Sequence, residues 1–370
     1  MSAPATRAQP AGRHQPTLLG SCALATTAAE ASYRISYPEF ARRSSRVIAL
    51  GAESERSVRA MGGRLWGGGH FLVFESAVPG DALLRHAGTG GTALLSEELG
   101  YGGIYVSDHV FNPRSRESRY TYSKREDGHP GWEDETAWPD PMCVISALAS
   151  LTEHLVFTTG IYIAPLRDLM TVAKTTATAA VLSDDRLRLG VGVGWSKEEF
   201  DQTGQDFASR GPRLSEMIAG LRALWRGGWV EFHGDYYDVP ECQIEPAPTA
   251  PVPILGGGHS PVAVRRAATL CDGWIGAGAY SEEEAWARLD QLEAARRAAG
   301  RENEPFSIYL ALNERPNVDM YRRFAEAGAC DFVCAPWMFA KVDPGTPDDK
   351  VLADRLAAVQ RFAEGIVNKV

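Results

Sequence analysis

The sequence predicts an α/β protein in which eight parallel strands, each followed by a helix, close into a (β/α)8 barrel, also called a TIM barrel. From residue 70 onward, short apolar runs alternate with longer segments whose apolar residues recur at helical spacing, and eight such pairs can be counted. The chain has 370 residues, 44% of them hydrophobic, which is enough for one core of that size or for two ordinary domains. Residues 1–69 show no sustained period, so we expect a weakly ordered tail (1–69) and one barrel domain (70–370).

The eight predicted strands are apolar runs that end in glycine, proline or a polar residue. In chain order they cover residues 70–76, 103–109, 154–163, 187–193, 251–258, 273–278, 306–312 and 330–336. The helices between them carry ordinary boundary signals. Ser260 followed by proline, and Ser281 three residues before Glu284, are typical helix starts, whereas Gly100 and Gly300 are typical helix ends.

Two insertions depart from a minimal barrel. A long polar loop, residues 111–140, follows the second strand and contains several aromatic residues, which is typical of a lid rather than a linker. A helix and a small hairpin, the latter over residues 229–239, are predicted between strands four and five.

Composition argues against several classes of protein. A net charge of -9 and the lack of a basic stripe disfavour nucleic-acid binding, and no apolar run is long enough to cross a membrane. The six cysteines are scattered without C-x-x-C pairs, so we expect reduced thiols in a cytoplasmic protein. We expect no metal site, because a set of ligands would have to be recruited from histidines on unrelated strands.

The residues at the carboxyl ends of the strands are the candidate functional residues, because a parallel barrel builds its site on that face. Asp108 and His109 follow the second strand, and an imidazole can move a proton near neutral pH. In the alternative interpretation, Asp108 caps a loop and His109 packs against Trp195.

Glycine clusters end strands four and five. Glycine has no Cβ, so a flat or anionic ligand can lie against the backbone, and the helix after each strand offers amide groups to a phosphate. The alternative is a pair of tight turns. The spacing is neither that of dinucleotide-binding folds nor that of a phosphate-binding loop with lysine. The residues concerned are Gly190, Gly192, Gly194, Gly256, Gly257, Gly258, His259 and Ser260.

Several ordered motifs resemble the bacterial luciferase-like superfamily, and most closely its deazaflavin-dependent oxidoreductases, which use coenzyme F420. They include IYVSDH, TGIYIAPLR, LRLGVGVGWSKEEF and PILGGGHSPVAVRRAATLCDGW. The resemblance extends from His70 to the C-terminus.

The resemblance implies that a deazaflavin or flavin ring lies across the end of the third strand. It places a non-prolyl cis peptide there, at Gly160–Ile161 or Ile161–Tyr162, and puts Asp108 and His109 at the ring or the reacting group. Some sugar-phosphate dehydrogenases of the superfamily have a catalytic glutamate where this chain has Trp195, so that activity is disfavoured. The implied cofactor-binding residues are Gly160, Ile161, Tyr162, Gly192, Gly194, Trp195, Gly256, Gly257, Gly258, His259 and Ser260.

We therefore expect an oxidoreductase that transfers hydride between reduced coenzyme F420, or FMN, and a small organic substrate beneath the loop of residues 111–140. His109 would move the accompanying proton and Asp108 would orient it. One alternative is a reduced-FMN-dependent monooxygenase, similar to luciferase or alkanesulfonate monooxygenase, supplied by a separate reductase. Another is a non-catalytic flavin-binding barrel, favoured if Trp195, Trp132 or the N-terminal tail plugs the mouth. Members of the superfamily commonly form homodimers, so the resemblance also implies a homodimer.

Overall fold

The computed structural model describes residues 70–75, 78–79, 89–123, 125–130, 132, 136–329, 331–339 and 346–370. The predicted tail, together with Cys22, Ser76 and Cys330, lies outside the described residues.

Eight parallel strands form a closed barrel, which confirms the predicted fold class. Around the barrel the order is β1, β12, β11, β10, β9, β6, β5, β3, with β3 pairing back to β1. These strands are β1 (His70–Glu75), β3 (Gly103–Val106), β5 (Val156–Thr159), β6 (Leu187–Val191), β9 (Ile254–Gly257), β10 (Gly273–Tyr280), β11 (Ser307–Leu312) and β12 (Asp331–Cys334).

Helices cover the outside of the barrel and connect its strands. They are α1 (Thr89–Glu98), α2 (Pro141–Ala149), α3 (Leu169–Leu182), α4 (Lys197–Gln202), α5 (Arg210–Leu224), α6 (Pro261–Leu270), α7 (Glu282–Ala298), α8 (Val318–Glu326) and α9 (Asp348–Gly365). The predicted boundary signals are confirmed. Ser260 accepts a hydrogen bond from the first turn of α6, Ser281 and Glu284 form a capping box on α7, and Gly100 and Gly300 have positive φ values.

Two small antiparallel sheets lie outside the barrel. The predicted hairpin is present as β7 (Val230–His233) and β8 (Asp238–Cys242), after α5. The second sheet was not predicted: β2 (Val78–Pro79) pairs with β4 (Thr136–Ala137) at the end of the long loop. Two residues per strand are too few to show a hydrophobic period.

The core has two layers, because successive side chains of a strand point to opposite sides of the barrel wall. The outer layer packs between strands and helices, and a smaller inner cluster includes Leu72, Tyr105, Leu255, Ile275 and Tyr309. In the described part of the chain, no helix is both long and apolar enough to cross a membrane.

Asp331 is a buried carboxyl group at the first position of β12, at the amino end of the barrel. Burial raises its pKa to about 7, although a hydrogen bond from Tyr309 and the charge of Arg188 act in the opposite direction. His70 Nδ1 lies 3.8 Å from its Oδ1. Polar side chains therefore meet around Asp331 at this end of the barrel.

Candidate active site

The peptide bond between Gly160 and Ile161 is cis, at the end of β5. This is the first of the two positions that the sequence suggested. The ring of Tyr105 fills the space beside Gly160, where an added Cβ would lie 1.6 Å from its Cζ. Only glycine therefore fits at this position without displacing Tyr105.

The side chain of Ile161 lies over the ends of β6 and β9. An added Cβ would lie 1.7 Å from its Cδ1 at Gly192 and 2.6 Å from its Cγ2 at Gly257. The two glycines thus leave room for Ile161, not for bare backbone facing a ligand. Ile161 is half-buried, so the floor of the barrel mouth is an apolar side chain flanked by glycines.

Other predicted cofactor residues point away from the mouth or serve local structure. An added Cβ at Gly256 would lie 2.8 Å from Ala267 Cβ, so this glycine faces α6, as alternation along a strand requires. Tyr162 is buried in the outer core beneath the guanidinium of Arg167. Gly194 adopts a positive φ beside Ile163. The Tyr162 side chain and the Cα of Gly256 thus face away from the mouth, and cofactor binding by these two residues stays a prediction.

Asp108 is held by Arg167, whose Nη1 and Nη2 lie 2.7 and 2.9 Å from Oδ2 and Oδ1. The backbone N–H of Ile163 also donates to Oδ2. Asp108 has no exposed side-chain surface. Its carboxylate joins the ends of β3 and β5, which differs from the predicted role of orienting His109.

Glu199 holds the imidazole of His109 instead. Its Oε2 lies 3.0 Å from His109 Nδ1, and its Oε1 accepts a 2.7 Å hydrogen bond from the backbone N–H of Val110. Only 1% of the Glu199 side chain and 11% of the His109 side chain are exposed. Glu199 lies in the first turn of α4, so strand-end residues of β3 and the helix after β6 meet here.

An aromatic cap covers His109. We use this name for Tyr120, Tyr122, Trp132, Trp138 and Trp195. Ring centroids of Trp138, Trp132 and Trp195 lie 4.7, 5.2 and 5.9 Å from that of His109. Burial raises the pKa of Tyr120 to about 12, with Tyr122 adding to the effect, so the cap is uncharged at neutral pH. The predicted lid-like loop thus contributes four of the five rings, and they face the mouth.

The cap also reaches the loop after β9. The ring of Tyr122 packs edge-on against His259, with centroids 4.9 Å apart, and the hydroxyl of Tyr280 lies 3.4 Å from His259 Nδ1. Burial, followed by the charge of Arg288, lowers the pKa of His259. Ser260 uses its hydroxyl to cap α6. The ends of β3, β6 and β9 are therefore bridged by aromatic contacts.

Glu198 fastens the loop to α4. Its Oε1 accepts from the backbone N–H groups of Glu117 and Ser118, at 2.7 and 3.0 Å, and the Ser118 hydroxyl accepts from the N–H of Lys197. Partial burial acts to raise the pKa of Glu198, but these hydrogen bonds outweigh it and lower the pKa to about 2. A cavity of about 620 Å³ lies between the loop and α4, and Trp195 and Arg210 are among its lining residues.

Sequence reasoning missed Glu199 and Arg167. Neither residue is among the candidate functional residues predicted from the sequence. The available signal was their position: both lie in the segment that follows a strand's carboxyl end, eight residues after Thr159 and Val191, where charged side chains are worth testing as partners. Within the described ranges, no group of three or more histidine, cysteine, aspartate or glutamate residues could hold a metal ion.

Comparison with known proteins places these features in a family. Residues 68–314 match the family described as luciferase-like monooxygenase. The uncharacterized protein Rv0940c of Mycobacterium tuberculosis is 33% identical over 282 residues, which cover 75% of this chain and 94% of that protein.

Two F420-dependent enzymes are also similar. The F420-dependent glucose-6-phosphate dehydrogenase of Amycolatopsis mediterranei is 29% identical over 228 residues, which cover 59% of this chain and 63% of the enzyme. The structure of the coenzyme F420 dependent tetrahydromethanopterin reductase from Methanopyrus kandleri shares the fold, with a TM-score of 0.58 and 14% identity over 82% of this chain and 99% of that one. The barrel, its cis peptide and the extent of the sequence match lead to one conclusion: the chain belongs to the luciferase-like monooxygenase family.

Proposed function

We propose that the protein is an F420-dependent oxidoreductase that acts on a small, uncharged organic substrate, with His109 moving the proton that accompanies hydride transfer. The observation that carries this proposal is the His109–Glu199 pair. A buried carboxylate holds Nδ1, which leaves Nε2 as the ring nitrogen available beneath the aromatic cap.

The mouth fits a flat ring. Ile161 offers an apolar, half-buried surface, and the glycines at 192 and 257 leave the space that its side chain occupies. The backbone around Gly258 and Ser260 leads into the N-terminus of α6, which suits a phosphate group. These residues would hold the cofactor, and the cofactor, when bound, supplies or takes the hydride.

The aromatic cap supports an uncharged substrate. Its rings surround His109, and the nearby cation of Arg167 is already paired with Asp108 and lies 3.7 Å from Asp140. Arg167 is therefore engaged by carboxylates and does not offer a free charge to a substrate beside His109. Among the described residues, the buried indole N–H of Trp132 has no hydrogen-bond partner, so a substrate oxygen could accept from it.

His109 can serve both directions of such a reaction. The neutral imidazole accepts a proton from a substrate hydroxyl, and the imidazolium returns it to a carbonyl oxygen. The rings of the cap exclude water around this exchange, which strengthens the electrostatic interactions between the imidazole and the reacting oxygen.

The test is a titration of the purified full chain with coenzyme F420 and, separately, with FMN, followed by anisotropy of the ligand's own emission. We expect saturable binding of F420 and alcohol-dependent or ketone-dependent change in its oxidation state under anaerobic conditions. Binding of neither cofactor would reject the proposal. Binding without turnover of any tested alcohol or ketone would favour the non-catalytic flavin-binding barrel.

A reduced-FMN-dependent monooxygenase is the second candidate, and the description of the family favours it. The same protein should then bind FMN in preference to F420 and consume oxygen only when a separate flavin reductase is added. Oxygen uptake that depends on both reductase and substrate would select this candidate over the first.

A further inference from the structure

Glu199 uses both carboxylate oxygens on partners that lie next to each other in the chain. Oε2 faces His109 Nδ1 at 3.0 Å, and Oε1 faces the backbone N–H of Val110 at 2.7 Å. The side chain is sealed from solvent, with 1% of its surface exposed. Both contacts are therefore shielded from bulk solvent.

The two contacts of Glu199 restrict in different ways which atom donates and which accepts the hydrogen bond. A backbone N–H can only donate, so the atom that faces Val110 must accept. An ionised carboxylate can only accept at both oxygens, so Nδ1 of His109 must carry a proton. Neutral His109 then has its lone pair on Nε2.

We propose that Glu199 is a positioning residue that fixes His109 in the Nδ1–H tautomer, so that Nε2 alone exchanges the reaction's proton. This inference rests on the proposed function. In the direction of alcohol oxidation, the substrate O–H bond breaks and its proton joins Nε2, while the hydrogen on carbon leaves as hydride to the oxidised deazaflavin and a C=O bond forms. Reduction returns the same proton from Nε2 to oxygen.

The substitution Glu199→Gln separates this role from simple packing, because glutamine has nearly the same shape but one oxygen and one NH2 group. The fixed N–H of Val110 requires the oxygen, so the NH2 group must face Nδ1. An NH2 group donates, and Nδ1 must then accept. The variant is therefore expected to invert the tautomer and place the proton on Nε2.

The readout is the ¹⁵N NMR spectrum of the full chain labelled at histidine, recorded without cofactor at a pH where His109 is neutral. His109→Ala assigns the signals. We expect a protonated Nδ1 and a bare Nε2 in the wild-type protein and the reverse in Glu199→Gln. Asp201→Asn is the matched control: this exposed residue of α4 pairs with Lys197, and its substitution should leave the His109 spectrum unchanged.

Kinetics give a second readout. Glu199→Gln should lower kcat for alcohol oxidation by roughly a hundredfold or more, since Nε2 can no longer accept, with little change in the Kd of the cofactor. An Nε2–H tautomer in the wild-type protein, or an unchanged tautomer in Glu199→Gln, would overturn the inference. If Glu199→Gln does not fold, the wild-type spectrum alone still decides. Absence of turnover with intact NMR results would reject the proposed function and leave the tautomer assignment standing.

Discussion

Asp108 and Arg167 form a two-point ion pair, with nitrogen–oxygen distances of 2.7 and 2.9 Å, at the junction between the ends of β3 and β5. The carboxylate is fully buried, and 15% of the Arg167 side chain is exposed. The carboxylate of Asp108 therefore stabilises the mouth of the barrel. None of the hydrogen bonds described above joins it to His109.

Removing the carboxylate of Asp108 should lower the stability of the folded protein. Asp108→Ala leaves the guanidinium of Arg167 without its main partner and the N–H of Ile163 without an acceptor. We expect the free energy of unfolding to fall by about 3–5 kcal/mol, as for other buried ion pairs that lose one partner. Urea denaturation measures it. A loss below about 1 kcal/mol would mean that the ion pair is not important for stability.

Substitution of His109, in contrast, should affect turnover. His109→Ala is expected to lower kcat by about a hundredfold to ten-thousandfold, the range for loss of a general acid or base, while the Kd of the cofactor stays within about threefold. Steady-state kinetics and the titration described above check it. Unchanged turnover would remove His109 from the mechanism.

The floor of the mouth can be tested at Gly192. Gly192→Ala places a Cβ 1.7 Å from Ile161 Cδ1, so we expect weaker cofactor binding and a lower Tm. Ile161→Val removes Cδ1 and leaves the next atom, Cγ1, at 3.0 Å, so the double variant should recover part of both losses.

Gly91→Ala is the control for that experiment. Gly91 lies in α1, and an added Cβ there meets no atom within 4 Å. This substitution should leave cofactor affinity unchanged and stabilise the helix by roughly 0.5–1 kcal/mol. Equal effects of the two alanine substitutions on affinity would contradict the role given to Ile161.

Asp331 predicts how stability depends on pH. Its folded-state pKa, about 7, lies above the ordinary value of 3.8, so the folded protein holds a proton that the unfolded chain releases between those values. Stability is therefore fully present below about pH 4 and falls as the pH rises toward 7, by up to about 1.4 kcal/mol per pH unit from this group.

The measurement is the difference in unfolding free energy between wild type and Asp331→Asn across that range. Other groups, including nearby His70, titrate in both proteins and largely cancel. The wild type should lose stability relative to the variant as the pH rises. A pH-independent difference would show that Asp331 ionises normally in the folded protein.

The barrel could be predicted from sequence because burial imposes periods that are visible in every strand and helix. The strand ends could not be placed to the residue. The third strand was extended to residue 163, whereas β5 ends at Thr159, just before the cis peptide at Gly160–Ile161. Hydrogen bonding to neighbouring strands decides where a strand ends, and those neighbours are distant in the sequence.

The hydrogen-bond partners of the candidate site residues could not be predicted, for a similar reason. Adjacent residues Asp108 and His109 looked like partners, but neighbouring side chains of an extended chain point to opposite sides. Their actual partners are Arg167, 59 residues away, and Glu199, 90 residues away. Likewise, the glycines at strand ends were correctly found, but the contact that requires two of them is the side chain of Ile161.

Three of the nine tryptophans of the chain, Trp132, Trp138 and Trp195, lie within contact distance of His109. Indole emission responds to polarity and is quenched by absorbing molecules nearby. Tryptophan fluorescence can therefore report ligand binding at the mouth of the barrel without an added label. Conservative substitution of one of these tryptophans at a time would show which ring's fluorescence responds to ligand binding.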